Sequence, residues 1–187
     1  MNPTTERAKE RVERFTHVVD SAADQWDAPS PCAGWTVADV IHHAIDSERQ
    51  FLRSRGLVDE RTDREPDPGA AWKRHRADVL DLLDRDGVPE TAYDGYFGPT
   101  TVADTMADFY GWDLVLHSWD VARATGQDWS VSDAEVDLLE HTLDGWGDAV
   151  NAPGMFGPAV AVGPDASRQD RLLGRVGRDP QWRPAAH

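Results

Sequence analysis

The stretch FYGWDLVLHSWDVA, residues 109–122, constrains the fold more than any other part of the chain. Read as a helix, it is apolar on nearly every side, with Gly111, Asp113, His117, Ser118 and Asp120 as the exceptions. A helix without a polar face is a buried helix, so other elements must surround it. Asp113 and His117 stand four residues apart, which puts both on one face with Cβ atoms about 6 Å apart. A lone carboxylate in such surroundings would cost several kcal/mol or take up a proton. Two arrangements compensate it: an Asp–His hydrogen bond along one helical turn, or a shared divalent cation. A carboxylate and an imidazole at this spacing bind one ion by the geometry that pairs the histidines of H-E-x-x-H, provided a third ligand arrives from elsewhere.

Helices able to bury this one are written on both sides of it. Ala8, Val12, Phe15, Val18, Val19 and Ala22 recur at three- and four-residue spacing and predict a helix over 5–24, capped by Thr4 or Thr5. Thr36 and Asp39 form a capping box, with Trp35 as a hydrophobic staple, for a helix ending near Gly56. Its apolar stripe is Val37, Ile41, Ala44, Ile45, Phe51 and Leu52. A polar loop over 57–69 precedes a third helix at about 70–85. Residues 86–99, broken by Gly87, Pro89, Gly95, Gly98 and Pro99, read as an irregular connection. Thr100 or Thr101 then caps a fourth helix running unbroken to Thr125, with Gly126 as its stop. Ser132 and Glu135 open a fifth helix to about Val150, and a short helix falls near 166–175. The fold class expected is all-α: a four-helix bundle with an additional helix and an irregular C-terminal tail. The bundle occupies 1–150, and the tail, 151–187, packs on it within one domain.

Charge narrows the function. The 187 residues carry 19 Lys and Arg against 34 Asp and Glu, a net charge of −15. Residues 101–150 hold a single basic side chain, Arg123. A nucleic-acid partner requires a basic stripe to neutralise phosphates, and none is present. No apolar run reaches the length of a membrane span. The N-terminus is charged and shows no signal peptide, so a cytoplasmic protein is expected. One cysteine, Cys32, excludes an internal disulfide framework and a cysteine-rich zinc site.

The second helix supplies His42 and His43 as candidates for a third ligand. At 100° per residue both fall on the flanks of the apolar stripe, and periodicity does not choose between them. It equally allows both to be partly solvated surface histidines.

Two segments resemble a known family. PSPCAGWTVADVIHHAI (29–45) is similar to the P-x-P-C-x-G-W-S/T-V-x-D-L/V-x-x-H run of the mycothiol-dependent maleylpyruvate isomerase N-terminal domain. DLVLHSWDVARATG (113–126) resembles that family's D/E-x-x-x-H-x-W-D-L/V-A-x-A-T/I-G run. Both belong to the wider DinB-like superfamily of metal-binding four-helix bundles, and the tail resembles a short single-domain actinobacterial branch. The resemblance implies His43, rather than His42, as the ligand of the second helix, and a metal triad of His43, Asp113 and His117. Two imidazoles and a carboxylate suit Zn²⁺ with one position open, and Ni²⁺ or Fe²⁺ also fit such ligands. The family's thiol cofactor is mycothiol. The resemblance therefore implies a metal-dependent S-transferase or isomerase that combines a small-molecule thiol with an electrophilic substrate, working as a monomer or homodimer. The alternative is a non-catalytic metal-binding sensor or interaction module.

The characterised isomerases have a further C-terminal domain that contributes a substrate-binding arginine. The tail here offers Arg168, Arg171, Arg175 and Arg178, and none of them maps onto it. Transfer to some other electrophile is therefore expected rather than maleylpyruvate isomerisation. Cys32 reads as a small buried apolar residue. Asp120 can orient a ligand imidazole or bond to Arg123 or a loop amide. Arg123 is expected to pair with a carboxylate, His141 to lie at the surface, and the eight tryptophans to fill the core or line a pocket.

Overall fold

The computed structural model describes residues 2–59, 65–151 and 155–184; parts of the 57–69 loop and of the 151–187 tail lie outside the described residues. Helix α1 (Pro3–Asp20) starts earlier than the apolar pattern alone indicates. Asn2, rather than Thr4 or Thr5, caps it by accepting the Thr4 N–H at 3.0 Å, and Pro3 occupies a first-turn position where no N–H is needed. Helix α2 (Val37–Ser54) opens on the expected capping box of Thr36 and Asp39. Helix α3 (Pro68–Asp84) is capped by Asp67.

Two findings depart from the sequence reading. The connection expected to be irregular contains a hairpin, β1 (Ala92–Gly95) and β2 (Gly98–Thr101), paired antiparallel with Tyr96 and Phe97 at its two-residue tip. Strands of four residues are too short to show a two-residue period against a background of Gly and Pro. The fourth helix is also not continuous. It consists of α4 (Val102–Thr105), a π-helical segment (Met106–Tyr110) and α5 (Gly111–Ala124). The Gly111 N–H reaches five residues back to the Met106 carbonyl. One extra residue in the helical ladder turns everything after it by about 100°. Buried Arg11 secures this segment, donating to the Ala107 carbonyl at 2.6 Å and to Glu135 Oε1 at 2.7 Å.

Helix α1 packs on α3 and α5, and α2 packs on the same pair, so the bundle runs in the cyclic order α1, α3, α2, α5. Phe15, Ile41, Leu52, Trp72, Leu82 and Leu114 are among its buried core. A carboxylate–imidazole pair, Glu48 and His75 at 2.7 Å, is buried within it between α2 and α3. Helices α6 (Asp133–Trp146) and α7 (Arg168–Arg175) form a second layer on the outer side of α5, where Trp112, Trp119, Leu139, Leu143, Leu172 and Val176 cluster. With the bundle on one side and this layer on the other, only Asp113 and Arg123 of α5 keep part of their surface in solvent, which accounts for its composition. Among the described residues no helix is long and apolar enough to cross a membrane.

Candidate metal centre

His43 on α2 and Asp113 and His117 on α5 converge where these helices pack. His117 Nε2 lies 3.4 Å from Asp113 Oδ1, and His43 Nε2 lies 3.8 Å from Asp113 Oδ2. One donor atom from each of the three lies within 4.8 Å of the other two. Donors about 2.0–2.1 Å from a tetrahedral zinc ion stand about 3.3–3.4 Å apart, so the set fits a small divalent cation with slight closure. Accessibility is graded: the His117 side chain is 4% exposed, Asp113 28% and His43 42%. The face toward His43 is open. Trp35, brought in by the tight turn before α2, lays its ring 4.9 Å from that of His43 and 6.4 Å from that of His117.

His42 stands outside this group. Neighbouring positions on a helix point about 100° apart, so a single residue decides which imidazole reaches α5. The π segment contributes equally, because the turn it adds sets the face on which Asp113 and His117 lie.

Behind the triad is a second polar layer. His117 Nδ1 is 2.9 Å from Asp120 Oδ2, which leaves Nε2 directed at Asp113. Fully buried Asp120 is in turn gripped by Arg178 from the tail, whose Nη2 donates to Oδ2 at 2.9 Å and Nε to Oδ1 at 3.2 Å. Cys32 completes the layer: its thiol lies 3.2 Å from Asp120 Oδ2 and accepts from Arg178 Nη2 at 3.3 Å. Cys32 is therefore not the apolar filler expected. It is half-buried and hydrogen-bonded, because the loop before α2 folds back against α5. Arg123 also departs from expectation, donating to the Pro180 carbonyl rather than to a carboxylate. His141 is exposed, as expected.

The electrostatics follow from these contacts. Burial opposes charge on Asp113, yet the His117 imidazolium beside it holds its carboxyl below the ordinary 3.8. Burial also opposes charge on His117, but Asp113 and the hydrogen bond to it, followed by the bonds to Asp120 and Cys32, raise it well above 6.5. His43, with fewer partners, is lowered by burial against the pull of Asp113. Asp120 is brought down to about 2 despite its burial, by its bond to His117 and the Arg178 charge. Cys32, His117 and Asp120 form a second close donor set. The guanidinium of Arg178 already lies within hydrogen-bond distance of both Cys32 and Asp120, which disfavours a cation there.

Arg178 is the site residue that sequence reasoning did not single out. It lies 58 residues from Asp120, and nothing local separates it from the other tail arginines. Asp120 was legible, since a carboxylate three residues after a histidine shares its helical face.

A cavity of about 190 Å³ opens on His43 and Asp113, walled by Tyr110, Trp112, Trp146 and Phe156 among others. The site thus combines a partly open donor triad, a rigid hydrogen-bonded backing and room for a small ligand.

The chain resembles known proteins over much of its length. Two uncharacterized proteins of Mycobacterium tuberculosis, one from strain CDC 1551 / Oshkosh and one from strain ATCC 25618 / H37Rv, are each 28% identical over 105 residues. The match covers 56% of this chain and spans only 57% of the length of each relative. No solved structure matches significantly. The mycothiol maleylpyruvate isomerase N-terminal domain matches residues 5–122, which include most of α1, all of α2 and α3, the hairpin, the π segment and the greater part of α5. With its all-α, DinB-like bundle, the chain belongs to the mycothiol maleylpyruvate isomerase N-terminal domain family.

Proposed function

We propose that His43, Asp113 and His117 hold one divalent cation, with zinc the first candidate and nickel or iron the others, and that the protein is a thiol-dependent S-transferase or isomerase. Mycothiol is the thiol that the family membership suggests, and a small electrophile is its partner. The observation that carries this reading is the convergence of two imidazoles and a carboxylate beside a cavity that His43 and Asp113 line, with one imidazole fixed from behind by a buried carboxylate. When bound, a divalent cation at such a site lowers a thiol's pKa and so supplies a nucleophile at neutral pH.

The residues of the chain do the rest. Asp120, pinned by Arg178, fixes the tautomer and direction of His117. Trp35 restrains the His43 ring, and Tyr110, Trp112 and Trp146 shield the cavity from bulk water. The Cys32 thiol is committed to Asp120 and Arg178, so the attacking thiol comes from the cofactor. Met155 and Phe156 from the tail line the cavity and leave its volume free, which favours catalysis over a sensor role.

Elemental analysis of the purified protein tests the site. One equivalent of metal per chain is expected, and His117→Ala should lose it, because two ligands rarely hold zinc. Stoichiometric metal in that variant would reject the triad. Thiol consumption with a panel of electrophiles then tests the chemistry.

A further inference from the structure

A cavity of about 680 Å³ lies beyond the one at the donor triad. Aromatic rings dominate its walls: Phe51, Tyr93, Tyr96, Phe97, Phe109 and Trp146. It shares Phe109, Tyr110, Trp146 and Met155 with the smaller cavity, so the two adjoin, and together they lie between His43 and Asp113 at one end and the hairpin at the other, a cleft lined in two parts. Phe109 and Tyr110 are the last two residues of the π segment, and such segments gather at functional sites because they redirect side chains.

The hairpin tip is the outer wall. Tyr96 is 86% exposed and Phe97 49%, and they are two of the three large hydrophobic side chains found exposed among the described residues. The Phe97 ring lies nearly parallel to that of Trp146, at 14° with centroids 5.9 Å apart. Aromatic surface left open beside a cavity of this size marks a ligand site. The charges on the lining define the ligand further. Asp94, Asp104 and Asp108 face one guanidinium, Arg55, which lies flat over the Tyr93 ring at 3.8 Å. Arg7 partners Asp108 from outside the lining, and an excess of negative charge remains.

We infer that this cleft recognises the electrophilic co-substrate through an aromatic body that carries no negative charge, laid against the rings of Phe97, Trp146, Phe109 and Tyr110. That the ligand is the electrophile, with its reactive end toward His43 and Asp113, rests on the function proposed above; the ligand class rests on the cleft alone. A dianionic substrate such as maleylpyruvate is a poor match for these walls, in ring surface and in charge.

Two fluorescent probes test this on the full chain treated with EDTA. N-phenyl-1-naphthylamine is neutral, and 8-anilinonaphthalene-1-sulfonate adds a sulfonate to the same ring system. The neutral probe should bind at least tenfold more tightly than the sulfonate. Phe97→Ser and, independently, Tyr96→Ser on the exposed tip should each weaken it, Phe97→Ser by tenfold or more. Leu138→Ser, which removes an exposed apolar side chain elsewhere, should leave it unchanged. Equal or tighter binding of the sulfonate, or indifference to both tip substitutions, would overturn the inference. Metal content measured on untreated samples separates the two readings. A protein that holds a divalent metal but fails the probe tests loses the cleft assignment alone, and one that passes them without holding any metal loses only the metal assignment.

Discussion

Asp120 is the residue through which the tail reaches the donor triad. It is fully buried, and a lone carboxylate there would be costly, but it receives His117 Nδ1, two Arg178 nitrogens and the Cys32 thiol. A bidentate guanidinium holds a carboxylate in plane more firmly than an ammonium can. Arg178→Ala should therefore leave His117 in place but free to reorient. Zinc affinity measured by competition with a chromophoric chelator should fall about 10–100-fold, the range seen when such backing contacts are lost. Arg178→Lys should recover only part of it, because an ammonium cannot reproduce the two-pronged contact. If folded Arg178→Ala bound zinc as tightly as the unmodified chain, the tail would have no role at the site. The sequence carried Asp120 by its spacing from His117, whereas Arg178 was one of several equivalent tail arginines until the chain folded.

At the scale of elements, the π segment matters most. The apolar pattern of 100–125 announces a helix but not its interruption, since a single inserted residue leaves the average periodicity nearly unchanged. Its signature in three dimensions is Gly111. A Cβ built there would lie 2.8 Å from Arg11 Cδ and 2.9 Å from the Met106 carbonyl oxygen, the acceptor of its own N–H. The backbone contact leaves no cheap relaxation, so Gly111→Ala should cost about 1–3 kcal/mol in chemical denaturation. Gly145→Ala in α6, with nothing within 4 Å, should be neutral or stabilise by up to about 1 kcal/mol. Equal effects of the two substitutions would show that close packing at the π segment is not what selects glycine. The hairpin is the other element the sequence hid. Its strands are four residues each and held by a Gly-flanked turn, and its aromatic tip is surface that hydrophobic patterning would place inside.

For the molecule as a whole, the decisive feature is that α5 belongs to two apolar clusters at once. Leu114 and Val121 face the bundle, and Trp112 and Trp119 face α6 and α7. The outer layer cannot separate without exposing one side of the helix that carries two of the proposed ligands. Unfolding should therefore be a single transition, with tryptophan fluorescence and far-UV circular dichroism giving coincident midpoints in denaturant. Two resolved transitions would mean that α6, α7 and the tail open independently of the bundle. The charge pattern fits the same picture: the acidic body meets the tail through Arg168 with Asp137 and Glu140, Arg175 with Asp144, and Arg178 with Asp120.

From the sequence alone came the buried helix, the helices around it, the all-α class and, through the family's motifs, the choice of His43 beside Asp113 and His117. All of these depend on local periodicity or on motifs within one segment, which are written residue by residue. Tertiary structure alone decided the rest: the turn added by the π segment, the hairpin that walls the cleft, the capture of Cys32 and Arg178 by Asp120, and the placing of two adjoining cavities between His43 and the hairpin. The contacts among them join segments up to 146 residues apart, selected by the packing of several helices together, and no single stretch of chain records which of its side chains will meet.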